Sequence, residues 1–92
     1  MQLKNCMESA VANLLDDAIK DMDICKCERC RYDIQAIALN HLPPRYAVTE
    51  EGEVYARIDE FFISQYRADI ILEIIKAAEI VSRNPNHDMK CR

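Results

Sequence analysis

Three cysteines, Cys25, Cys27 and Cys30, fall within six residues in the run CKCERC. Soft thiolates spaced this closely can converge on one ion with little extra ordering of the chain, and a tetrahedral zinc is the ion they suit best. Zinc wants a fourth ligand, and Cys91, Cys6, His87 and His41 are the candidates. A site closed by four cysteines has no open position for water, so its role is structural. Two other readings compete: small buried side chains with no metal, and an iron–sulfur or redox centre. No second constellation suggests catalysis. There is no nucleophile elbow, and a chain with a single glycine cannot build a glycine-rich phosphate loop, so no enzyme is expected.

The elements that must carry the cysteines are helices. Leu3, Met7, Val11, Leu14, Leu15, Ala18, Ile19 and Met22 recur at spacings of three and four, which predicts a first helix over about 3–23. Ile34, Ile37, Ala38 and Leu42 repeat the pattern, and Pro43-Pro44 must end a second helix over about 31–41. Residues 43–53 read as a loop around Gly52. A third helix runs from Val54 to Arg83 and stops at Asn84-Pro85. The expected fold is all-α, one domain over 1–92: a small bundle of three to four helices stapled by the zinc.

That arrangement bears on the fourth ligand. With the first two helices as an antiparallel hairpin and the cysteines at its top, the third helix runs back up and delivers the tail to the metal. Cys91 then closes the site, with His87 as the alternative. Cys6 lies about 28 Å down the first helix, out of reach within one subunit. His41 is at the far end of the second helix, where capping or surface exposure suits it better. The third helix has an apolar surplus, with Ile70, Ile71, Leu72, Ile74, Ile75, Ala77, Ala78, Ile80 and Val81 covering more than one stripe. A second copy of the chain would cover it, giving a homodimer; a central place in the chain's own bundle would also do so.

Composition narrows the class. Of 92 residues, 30% are charged and half are apolar, with no run approaching a membrane span and no basic-then-apolar leader, so a cytoplasmic protein with reduced cysteines is expected. A net charge of −4 argues against direct DNA binding. The charge is uneven, since residues 24–46 carry +2 while the segments on either side carry −3 each.

The run CKCERCRYDIQAIALNHLPPRY, residues 25–46, resembles the signature of the late competence protein ComFB family. LKNCMESAV at 3–11, GEVYA at 52–56 and SRNPNHD at 82–88 agree with it, so the resemblance spans nearly the whole chain. It implies a helical homodimer with cysteine-held zinc, in a group that includes receptors for the cyclic dinucleotides c-di-GMP and c-di-AMP. The expected function is then a dimeric signalling module linked to competence, acting on a protein partner that the sequence does not identify. The alternative is a competence-associated scaffold with no small-molecule ligand.

A cyclic dinucleotide calls for cations, flat side chains and groups that read base edges. Arg45 and Tyr46 follow the rigid Pro43-Pro44 segment and could offer a guanidinium and an aromatic face. Lys4 and Asn5 at the start of the first helix lie at the same end, where free backbone N–H groups favour an anion. Arg29 and Arg31 are at the zinc end, and reach such a ligand only across a dimer. Each residue has a plainer role open to it: solvated charge for the cations, packing for Tyr46, a helix cap for Asn5.

Overall fold

A computed structural model describes residues 1–49 and 56–83, with the side chains of 49 and 56–63 left aside. In chain order the elements are β1 (Gln2–Asn5), α1 (Cys6–Ile19), α2 (Glu28–Asn40), β2 (Tyr46–Thr49) and α3 (Ala56–Arg83). The fold is mostly helical, as the apolar spacing predicts, but it is not all-α. β1 pairs antiparallel with β2, in the register Leu3 opposite Val48 and Asn5 opposite Tyr46. Directly opposed residues share a face, and Leu3 and Val48 are 70% and 61% exposed. Leu3 therefore belongs to a solvent-facing ribbon and not to the helical stripe that includes it by spacing.

The boundaries of the helices follow from their caps. α1 starts at Cys6 because the side chain of Asn5 accepts the N–H of Met7, at 3.1 Å. α2 starts three residues earlier than its apolar spacing suggests, because Cys27 is its N-cap and Cys30 is already in its first turn. At its other end the N–H of His41 donates to Ala38 O, 3.0 Å away, and the His41 ring Nδ1 lies 2.9 Å from Ile37 O. His41 thus has the capping role expected of it. The stop at Asn84-Pro85 and the loop at Gly52 lie outside the described residues.

α1 and α2 form an antiparallel hairpin. Asp16 near the end of α1 pairs with Arg31 near the start of α2, and Asn5 before α1 holds Arg45 after α2. α3 packs against both helices. The core joins Met7, Val11, Leu15 and Ile19 of α1 to Cys30, Ile34 and Ala38 of α2 and to Ile70, Ile74, Ala77, Ala78 and Val81 of α3. Much of the apolar surplus of α3 is therefore spent inside its own chain. Leu72 and Ile80 remain exposed.

Candidate functional site

At one end of the hairpin the Sγ atoms of Cys25, Cys27 and Cys30 all lie within 4.8 Å of one another. Zinc–sulfur bonds of about 2.3 Å in a tetrahedron separate the sulfurs by about 3.8 Å, so the donor set and its spacing fit a zinc ion. Local structure places each thiol. The Cys27 Sγ caps α2 by accepting the N–H of Cys30 at 3.4 Å. Cys30 is buried beneath it, one turn into the helix. The connection that carries Cys25 is held by Lys26, whose Nζ donates to Met22 O at 2.8 Å and to Lys20 O at 3.4 Å, just past the end of α1. The sequence reading missed Lys26 and the capping role of Cys27. Their signal lay in the CKCERC run, where Cys27 was read for metal chemistry and Lys26 for its charge.

Without a metal, electrostatics at this end favour the neutral thiol of Cys30. Burial pushes the Cys30 thiol up to about 11, with the hydrogen bond and charge of Cys27 adding to it and Asp33 a smaller contributor. A metal ion reverses that balance, because thiolate binding to a dication outweighs the burial of negative charge. Cys25 is disulfide-bonded, so a metal-holding form requires that bond reduced. Cys6 is buried in the first turn of α1, at the other end of the hairpin, as its position in the sequence requires. Cys91 and His87 lie outside the described residues.

Arg29 and Arg31 both stand at the cysteine end and both meet carboxylates. Arg29 Nε donates to Asp33 Oδ2 at 3.2 Å, one turn along α2. Arg31 pairs with Asp16 across the hairpin, and this contact holds the Asp16 carboxyl below its ordinary range and raises the Arg31 guanidinium.

The opposite end is organised by Asn5. Its side-chain oxygen accepts the N–H of Met7 and, at 2.7 Å, the N–H of Arg45; the Arg45 carbonyl in turn accepts the N–H of Cys6. The backbone N–H groups of Cys6 and Met7 at the start of α1 therefore have protein acceptors. Lys4 and Asn5 belong to β1 and its junction with α1, and Tyr46 opens β2 with an exposed ring instead of packing the loop. Beside this junction is a cavity of about 290 Å³. Met7, Leu42 and Ile70 supply its apolar lining and Pro43-Pro44 a rigid edge, while Arg45, Tyr66 and Asp69 bring polar and aromatic groups to it. Tyr66 and Asp69 escaped the sequence reading, since they lie on the polar side of α3, some twenty residues beyond Arg45, and only tertiary packing brings them there.

A small antiparallel helical hairpin, backed by a long third helix, with a cysteine triplet at one end and a clasped β-ribbon at the other, defines a class that the comparisons identify. Residues 4–85 match the model of the family described as late competence development protein ComFB. The solved structure of the late competence protein ComFB from Bacillus subtilis is similar, with 26% identity, a TM-score of 0.77, and coverage of 92% of this chain and 96% of that one. No curated protein matches significantly. The chain belongs to the ComFB family.

Proposed function

We propose that this protein is a zinc-stabilised, dimeric signalling module that binds a cyclic dinucleotide, c-di-GMP or c-di-AMP, and passes the bound state to a protein partner in competence. The observation that carries the ligand reading is the cavity that Arg45, Tyr66 and an apolar floor line together, with the Arg45 backbone held by Asn5. Such a mixture of an apolar surface and a few convergent polar groups is what a nucleotide site requires. Arg45 takes a phosphate or a base edge, and Tyr46 and Lys4 on the ribbon are the neighbouring groups for the remainder of the ligand. Asn5 acts through Arg45, by holding its backbone. Arg29 and Arg31, paired with carboxylates at the other end, reach the ligand only from a second subunit.

The zinc reading rests on the three sulfurs, with Cys91 as the fourth ligand and His87 its alternative. Zinc bound this way ties the tail that carries Cys91 to the hairpin and supplies stability that so small a core lacks. Dimerisation is supported by the exposed apolar side chains at Leu3, Val48, Leu72 and Ile80. The same exposed ribbon favours the second reading, a protein-binding scaffold without a small ligand.

Calorimetric titration of the reduced, zinc-loaded protein with each cyclic dinucleotide separates the two. Heat of binding is expected, and Arg45→Ala should weaken affinity about ten- to a hundredfold, the loss of a charged hydrogen bond. No heat and no thermal shift at hundreds of micromolar ligand would leave the scaffold reading in its place.

A further inference from the structure

We propose that Lys26 is a positioning residue of the metal site: by fastening the segment between Cys25 and Cys27 to the end of α1, it holds the sulfurs ready for the ion. The inference rests on the zinc reading and adds to it a residue that is not a ligand. The last turn of α1 has no basic side chain, and the carbonyls at a helix C-terminus lack intrahelical partners. Lys26 supplies the cation from across the turn, with its Nζ 2.8 Å from Met22 O and 3.4 Å from Lys20 O. The N–H of Met22 donates to Ile19 O at 3.0 Å, so the chain leaving α1 is already turned where the lysine meets it.

Its place within CKCERC ties this clasp to the metal. The backbone of Lys26 lies between those of two cysteines of the cluster, so restraining it restrains Cys25 and Cys27 together, whereas Cys30 is fixed by its burial in α2. Cys27 has an extended backbone, φ −70° and ψ 166°, and alternate side chains along such a chain leave on opposite sides. A lysine at this position can grip the helix end without entering the space of the sulfurs. The segment is then anchored twice: to α1 through Lys26, and to α2 through the Cys27 Sγ, which accepts the N–H of Cys30. The three sulfurs so held lie within 4.8 Å of one another. An ion that finds its ligands gathered does not have to order the segment itself, an ordering that costs free energy for every residue fixed. Were Lys26 no more than a stop for α1, its removal would leave the affinity for metal unchanged.

The test is the zinc affinity of the reduced protein, read by competition with a chromophoric chelator, for wild type, Lys26→Met and Lys26→Arg. Methionine keeps the apolar stem and loses every donor, whereas arginine keeps both donors and charge. Lys26 is exposed, so both variants should keep the wild-type helical circular dichroism. Lys26→Met should bind zinc about three- to tenfold more weakly and yield it faster to the chelator, the scale of hydrogen bonds made in competition with water. Lys26→Arg should stay within about twofold of wild type. The charge of the lysine could also act on the thiolates through space, so the comparison is repeated at high salt, which screens such an effect and spares the clasp. A Lys26→Met variant that matches wild type, or a loss that vanishes at high salt, overturns the positioning role while the zinc reading stands. Wild type that holds no zinc overturns the zinc reading itself.

Discussion

Cysteine is used in two ways by this chain, and the difference lies in the surroundings of each thiol. Cys27 sits at a helix N-terminus, with an N–H pointing at its sulfur and two other sulfurs within 4.8 Å, a placement that suits a metal ligand. Cys6 is sealed in the core, which makes it a small apolar side chain. Metal analysis of reduced protein should find about one zinc per chain. Cys27→Ser should release it and lower the thermal midpoint, whereas Cys6→Ala should keep the full zinc content. Serine at position 6 is the poorer control, because a buried hydroxyl would cost stability for reasons unconnected with the metal. Zinc retained in Cys27→Ser, or lost from Cys6→Ala, would sink the ligand assignment.

At the scale of elements, two contacts tie the hairpin at its two ends. Asn5 caps α1 and grips the Arg45 backbone with one oxygen, so Asn5→Ala removes both restraints at once. Loss of an N-cap costs about 1 kcal/mol, which in a domain of this size should lower the melting midpoint by about 4–8 °C. Differential scanning calorimetry reads the change, and a midpoint equal to wild type would mean that the ribbon alone fixes the start of α1. At the other end Arg31 lowers the carboxyl of Asp16 from its usual 3.8. A group whose folded value is depressed adds stability above its unfolded value and loses it as pH falls through the folded one, so this contact fades below about pH 4. Asp16 is exposed, so the effect is small. Urea unfolding of Asp16→Asn should show a shallower loss of stability between about pH 4 and pH 2 than wild type.

For the whole molecule, the open question is what covers its apolar surface. The buried stripe of α3 is satisfied by α1 and α2, while Leu72 and Ile80 on that helix and Leu3 and Val48 on the ribbon face outward. A two-stranded ribbon is marginal alone in water, so a partner that covers it would stabilise it. Light scattering is expected to give about twice the chain mass of 10.7 kDa at micromolar concentration. A mass of one chain at every concentration would leave that surface for a different protein, as the scaffold reading requires. No helix among the described residues is long and apolar enough to cross a membrane.

The helices and the cysteine cluster were legible in the sequence for a local reason. Apolar residues at spacings of three and four define a buried stripe wherever the chain packs, and thiols two or three residues apart cannot be far from one another. Pro43-Pro44 likewise ends α2 through backbone sterics alone. The ribbon was not legible, because four residues such as Gln2–Asn5 carry too short an alternation to outweigh a helical stripe that runs into them, and their pairing partner is more than forty residues away. Nor was the start of α2, where Cys27 caps in place of the usual serine or aspartate. Tertiary structure alone decided that the N–H of Cys6 is taken by the Arg45 carbonyl, and that Tyr66 and Asp69 share a cavity with Arg45. These contacts join residues 20 to 40 positions apart, and the spacing along a chain holds no record of them until the hairpin and α3 have packed.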